Sequence, residues 1–385
     1  MEKLYSIHNE EFGGPPELIV SAPGLVNILG GHTDYNEGYV LQTAISQSVK
    51  IAVSRREDNA LRFYAADLNE RKRTTTPNLK YKREDRWANY LKGVCAAFMK
   101  FGFPLKGLNI SLSSEIPAGI GLSSSSAIAV AATEAIRKLF RYEISDAQFI
   151  QIANSVENEF IDLSQQLTGP LGCFLSKKNT AMFLDLRTLD IEYLPIKFDD
   201  YSFIITDSNL PVISAKEETK NRKQKCRECV GFLNQKKNGS ALRDYSENDL
   251  KQGMGLVPEP VRRLCLHVVA ENEKVLEGKD ALLRKDIQAL GKLMSRSHES
   301  LRDNYEVSCP ELDWLIKRAW ETEGVLGSRM NGPGFCGCTV SLIRNDCIEN
   351  YRSQIKDYDH IFGFAAGLFP LEPSDGVCVL YPGKS

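Results

Sequence analysis

The stretch Pro117-Ala-Gly-Ile-Gly-Leu-Ser-Ser-Ser-Ser-Ala127 decides how this chain is read. Gly119 and Gly121, then Leu122 and the run Ser123, Ser124, Ser125, Ser126, lead straight into Ala127-Ile-Ala-Val-Ala-Ala132. The apolar residues from 124 to 139 predict a buried helix. A helix N-terminus carries unpaired N–H groups and a positive dipole end. Glycines let phosphate oxygens approach that backbone, and Ser hydroxyls add donors or a magnesium ligand. A flexible linker would not run into such a helix, so the loop reads as a phosphate cradle.

Two further stretches carry glycines in unusual density: Ala22-Pro-Gly-Leu-Val-Asn-Ile-Leu-Gly-Gly-His-Thr-Asp-Tyr-Asn36 and Gly327-Ser-Arg-Met-Asn-Gly-Pro-Gly-Phe-Cys-Gly-Cys338. Around them, β-type and helical signals alternate without an internal repeat. Short apolar runs at 18–22, 38–41, 49–54, 108–112, 203–206, 340–343 and 377–380 predict strands. Helical spacing predicts helices over 87–101, 124–139 and 147–160, then around 258–275 and 283–301. The Lys/Glu/Arg-rich segment 214–235 reads as a solvated helix face, because acids interleave with the bases. This is a mixed α+β pattern.

Composition narrows the function. The chain has 385 residues, which favours two domains over one core. Its net charge of −2 gives no electrostatic case for nucleic acid or an anionic membrane surface. No apolar run is long enough for a bilayer span, and the first residues lack a signal-peptide core. A cytoplasmic protein with reduced thiols is the expectation for its ten Cys. A zinc site would need Cys226-x-x-Cys229 and Cys336-x-Cys338 to converge; small buried thiols are the plainer expectation.

Taken together, the three glycine-rich stretches resemble the galactokinase branch of the GHMP small-molecule kinases. The family's sugar loop reads A-P-G-R-V-N-L-I-G-E-H-T-D-Y-N, and its third motif reads G-x-R-M-T-G-A-G-F-G-G-C. The resemblance implies an N-terminal ribosomal-S5-like domain over 1–194, a ferredoxin-like domain over 195–385, and an active site in the cleft between them. It implies ATP and Mg²⁺ as cofactors and a sugar or sugar-like small molecule as partner. By resemblance, Trp87 of Trp87-Ala-Asn-Tyr-Leu-Lys-Gly-Val94 borders the adenine, Ser123 and Glu157 flank the magnesium, and His32 and Asp34 meet the sugar.

Departures from the pattern fall where the chemistry belongs. The family Arg of the sugar loop is Leu25, and the Asp of C-G-I-M-D-Q aligns with Gly169. The sugar-contacting Glu and Tyr are Gly31 and Thr219. The third motif departs at Pro333 and Cys336. Asp162, Lys216, Lys220 and Arg222 are the nearby charges that could substitute, although a cap or surface acid at Asp162 and a solvated basic face for the other three are the plainer expectations. These changes predict poor use of galactose, and the smaller Gly31 and Thr219 predict a wider pocket with less negative charge, suited to a bulkier or anionic substituent. Two readings follow from the resemblance: an ATP-dependent sugar kinase, or a catalytically impaired pseudokinase that binds ATP and a sugar as a sensor. A purely structural protein is disfavoured by the intact nucleotide loop.

Overall fold

The computed structural model describes every residue except 163–166, 211–215, 254, 333, 335–336 and 383–385. Two sheets organise it. The first contains β1 (Leu18–Leu29), β2 (Tyr39–Arg55), β3 (Ala60–Ala65), β4 (Glu70–Thr75), β5 (Leu108–Ser114), β6 (Thr180–Asp185) and β7 (Ile191–Pro195). The second contains β8 (Tyr201–Asp207), β9 (Val325–Asn331), β10 (Cys338–Arg344) and β11 (Gly367–Pro370). The last strand, β12 (Cys378–Tyr381), returns to pair with β1, so the C-terminal end of the chain belongs to the first sheet.

In the first sheet the order is β12-β1-β2-β5-β3-β4, and the β6–β7 hairpin pairs with the opposite end of β2. Among the described residues, only β3 and β5 run parallel. The edge strand β4, Glu-Arg-Lys-Arg-Thr-Thr, has no buried residue, and its charges discourage pairing with another chain. Helices Ala88–Lys100, Ser124–Leu139, Asp146–Ser155 and Thr168–Leu175 pack into one apolar core with the sheet, including Ile28, Leu41, Ile51, Phe98, Ala129 and Ile136.

The second sheet has the order β11-β8-β10-β9 and is antiparallel throughout. Its chain order, strand, helices, two strands, helices, strand, is the ferredoxin-like arrangement. Between β8 and β9 lie the helices Lys216–Leu233, Glu259–Leu283, Ile287–Asp303 and Pro310–Glu321. Helix Glu259–Leu283 also meets the first sheet: a Cβ on its Gly278 would stand 2.5 Å from Leu29 of β1.

Several elements extend past their apolar signal. β1 continues through Pro23 and Gly24 because register shifts at Pro23/Leu25 and Asn27/Leu29 absorb them. The expected helix 147–160 ends at Ser155 and gives way to a π turn, Val156–Phe160. Helix Ser124–Leu139 matches its expected span.

Backbone meets backbone where the second sheet receives its helix. A Cβ on Gly327 of β9 would stand 1.8 Å from the Gly291 carbonyl oxygen. Gly327→Ala should therefore push helix Ile287–Asp303 off β9 and cost at least about 1–3 kcal/mol, the usual range for overpacking. Urea unfolding reads this directly; an unchanged midpoint would show that the two backbones are not in contact.

Candidate active site

One carboxamide joins the three glycine-rich stretches. Asn331, at the end of β9, is buried. Its Oδ1 accepts from the Asn27 backbone N–H at 3.0 Å, and its Nδ2 donates to the Gly121 carbonyl at 2.9 Å. Glycines make the approach possible. A Cβ on Gly121 would meet Gly332 Cα at 2.4 Å, and one on Gly24 would meet the Leu122 carbonyl at 2.9 Å. The Leu25 N–H donates to that same carbonyl at 3.0 Å.

The nucleotide loop turns through Gly119 and Gly121, both at positive φ, and through Ser123, the N-cap residue at φ 57°. Ser124, Ser125 and Ser126 form the first helical turn. Facing it, the π turn carries Glu157, and such turns are frequent at functional sites. Ser126 Oγ donates to Glu157 Oε2 at 3.1 Å, and Ser125 also bonds the carboxyl. The hydroxyls found on Glu157 are thus those of Ser125 and Ser126, beside the Ser123 expected from sequence. Glu157 is buried, and its Oε1 has no partner. Burial pushes its carboxyl above the usual range, with the two Ser hydroxyls opposing. An orphaned buried carboxylate oxygen beside hydroxyls suits a hard divalent cation.

Trp87 is buried, and its ring N–H donates to Glu70 Oε2 at 3.0 Å. Three residues on, Tyr90 bonds Ser125; burial and then the Glu157 charge push its hydroxyl up to about 12. The i, i+3 spacing from Trp87 was the signal for Tyr90, although its apolar helical period reads equally well as core.

The sugar-side loop follows β1. Thr33 Oγ1 donates to the Gly30 and Tyr39 carbonyls at 2.9 and 2.7 Å, and the Thr33 carbonyl accepts from Asn36 and Gly38. This closes the turn that presents His32 and Asp34. His32 Nδ1 shares a 3.0 Å hydrogen bond with the Tyr35 hydroxyl, which also bonds Tyr305. Burial, and then the charges of His267, Arg222 and Arg329, drop His32 to about 3, so its ring is neutral. Burial raises Asp34 to about 6, against bonds from the Tyr35 and Asp34 N–H groups and the charge of Lys223.

Lys223 was not singled out in the sequence. It is half-buried on helix Lys216–Leu233, four residues from the half-buried Thr219, so both share a helix face. Arg222 has another task. It donates to the Tyr305 and Glu306 carbonyls and pairs with Glu218 at 2.8 Å, so it is not available to stabilise a moving phosphoryl group. Lys220 is exposed, and the side chain of Lys216 lies outside the described residues. Asp162 is exposed, with φ 62°.

Leu25 and Gly169, the positions that the resemblance aligned with the family's Arg and Asp, are closely packed. Leu25 is buried, and its methyls lie 2.6 and 2.9 Å from where a Cβ on Gly172 would stand. A Cβ on Gly169 would meet Ser126 Oγ at 2.3 Å and Ser126 Cβ at 2.9 Å. A side chain there requires Ser126, in the first turn of the nucleotide helix, to shift.

The widened pocket expected at Gly31 is absent. A Cβ there would meet Arg329 Nη2 at 2.8 Å and Leu301 at 3.4 Å, so the vacated space is occupied. Gly31 is also held from behind: His267 Nε2 donates to its carbonyl at 3.0 Å, and Glu271 accepts from the Gly30 N–H at 3.0 Å. Pro333 and Cys336 lie outside the described residues; Cys226, Cys229 and Cys338 are buried free thiols. Among the described residues, no His/Cys/Asp/Glu cluster is arranged to hold a metal. Nor is any described helix long and apolar enough to cross a membrane.

Known proteins place this arrangement. Three family models match: the galactokinase galactose-binding signature over 6–55, the GHMP kinase N-terminal domain over 89–169 and the GHMP kinase C-terminal domain over 279–357. A putative galactokinase of Treponema pallidum is 34% identical over 99% of this chain and 97% of its own. The galactokinase of Thermotoga maritima is 36% identical over 93% of this chain and 99% of its own. Lactococcus lactis galactokinase, solved in complex with galactose, superposes with a TM-score of 0.93 at 27% identity, covering 98% of this chain and 99% of that one. Full-length similarity to these enzymes, on a frame in which all three family motifs meet at Asn331, makes this chain a member of the galactokinase branch of the GHMP kinases.

Proposed function

We propose that the protein binds Mg–ATP and a sugar and transfers the γ-phosphoryl group to a sugar hydroxyl, with galactose a poor substrate. The observation that carries the nucleotide half is Glu157, a buried carboxylate with an unpartnered oxygen at the first turn of the helix behind the glycine loop. Ser123, Ser125 or Ser126 would complete the magnesium's surroundings with Glu157, and backbone N–H groups from Gly119 to Ser126 would hold the phosphates. The bound magnesium would neutralise phosphate charge. Trp87 would border the base. Asp34 would accept hydrogen bonds from ring hydroxyls, and neutral His32 would add a polar contact beside it.

The slow step follows from what Leu25 and Gly169 replace. A positioned cation is worth roughly 10³–10⁵ in phosphoryl transfer, and a general base roughly 10²–10⁴. Such groups act as a unit, so the factors do not multiply. Positioning and magnesium still supply part of the rate enhancement. The tight contact between Gly169 and Ser126 also favours a second reading, a sensor that binds both ligands without turnover. Calorimetry of Mg–ATP binding followed by an ADP-release assay across sugars separates the readings. Binding with sugar-dependent ADP release supports the kinase, binding alone supports the sensor, and no Mg–ATP binding rejects both.

Restoring the acid should not restore the enzyme. Gly169→Asp drives a side chain into Ser126 of the nucleotide helix. Stability should drop by about 1–3 kcal/mol, with no gain in turnover. A rise of roughly a hundredfold, the lower end for a general base, would show that the packing at Gly169 is not what limits the reaction.

Sugar binding should depend on pH through Asp34. The ionised carboxylate accepts two hydroxyl protons, and the protonated acid does so less well. With Asp34 raised to about 6, affinity should fall as the pH is lowered through that value. Asp34→Asn should bind more weakly and without this dependence. An identical pH profile in wild type and variant would remove Asp34 from the sugar site.

A further inference from the structure

We propose that the cavity between the two sheets is a second binding site, for a small zwitterion with an aromatic body, the chemistry of an aromatic amino acid. The cavity measures about 660 Å³, within the range of about 300–1,000 Å³ usual for small-molecule sites. Of the residues that line it, Pro23 alone belongs to the three glycine-rich stretches, so it is not the site described above. Occupancy there does not require phosphoryl transfer.

The walls of the cavity are bonded into the fold. Segment 371–376 carries the chain from β11 back to β12 and is pinned along its length. The Leu371 N–H donates to the Phe203 carbonyl of β8 at 2.8 Å, and the Ser374 N–H donates to the Ala44 carbonyl of β2 at 3.2 Å. Ser374 Oγ donates to the Ile45 carbonyl at 2.8 Å. The Gly376 N–H donates to the Ser176 carbonyl at 2.8 Å, and a Cβ on Gly376 would meet the Phe174 carbonyl oxygen at 2.3 Å. The strap is thus tied to both sheets, and the cavity it bounds is formed before any ligand arrives.

The lining is apolar in depth and charged at the rim. Ile45, Phe203 and Leu371 are buried, and the half-buried Phe198 lies 6.2 Å from Phe203 between ring centres. These groups suit a flat apolar body. Lys178, Lys197 and Glu372 line the same cavity and are exposed. Among the described residues, none of the three is in an ion pair. Asp375 is already engaged, since its Oδ1 accepts from the Lys178 N–H at 2.9 Å. The two lysines and the two acids cancel, so the rim favours neither a net anion nor a net cation. A ligand of one charge would meet its counterpart and leave the opposite sign unmatched. A zwitterion meets both, its carboxylate at the lysines and its ammonium at Glu372, with its ring against Phe198 and Phe203.

The test is calorimetric titration of the full-length protein with phenylalanine, with and without Mg–ATP. Phenylalanine should bind in both conditions. 3-Phenylpropionate lacks the ammonium and phenethylamine lacks the carboxylate; each should bind about threefold to fivefold more weakly, the worth of one exposed charge pair. Glycine, without the ring, should bind at least about tenfold more weakly. Glu372→Gln should bind phenylalanine no better than 3-phenylpropionate, and Lys178→Gln combined with Lys197→Gln should bind it no better than phenethylamine. All three side chains are exposed, so these variants should fold. The place of binding is read at Cys378, an exposed free thiol in the cavity wall, whose alkylation by a maleimide should slow when phenylalanine is bound. No binding at millimolar phenylalanine, loss of binding when Mg–ATP is added, equal affinity for the singly charged analogues, or unslowed alkylation of Cys378 would overturn the proposal.

Discussion

The Asn331 carboxamide is the constraint on which the site depends. It accepts from β1 and donates to the nucleotide loop, and it sits on a strand of the other sheet. A buried amide of this kind is costly to leave half-satisfied, so its two bonds hold together or are lost together. The glycines around it are explained by the same contact: Gly24, Gly121 and Gly332 let three backbones converge within van der Waals distance. Phosphoryl transfer depends on holding nucleotide and acceptor in line, and a clasp between their two loops is what such a reaction needs first.

Close packing marks the positions at which the sequence departs from the family pattern. Leu25 packs on Gly172, and a Cβ on Gly169 would meet Ser126. Beside Gly31 stands Arg329, buried, with its Nε unpartnered and no ion pair to a carboxylate among the described residues.

Much of this was legible before any coordinates. The helix over 124–139, the loop before it and the ordering of β-type and helical segments follow from apolar period and glycine placement, because those patterns report local geometry. The hairpin β3–β4 was missed, since Glu70 to Thr75 has no apolar residue and its partner Leu61, Phe63 and Ala65 is too short to stand alone as a signal. The π turn at Glu157 was hidden inside a continuous helical period. Residue identity at positions 25, 31, 169 and 219 also came from sequence. What filled the space at those positions did not, because Arg329 and Leu301 are remote in the chain from Gly31. That is why a wider pocket was expected where a guanidinium stands. Lys223 escaped notice for a similar reason: within a run of interleaved charges, only the fold shows which one faces Asp34.

The account stands on the two halves of the site being one mechanical unit, and amide hydrogen exchange in Asn331→Ala tests that most directly. The Asn27 amide, which donates to Asn331 Oδ1, and the amides of residues 119–126 should lose protection together and by similar factors, while β10 and β11 keep theirs. Loss of protection confined to the neighbourhood of residue 331, with the sugar-side strand and the nucleotide loop unchanged, would contradict it.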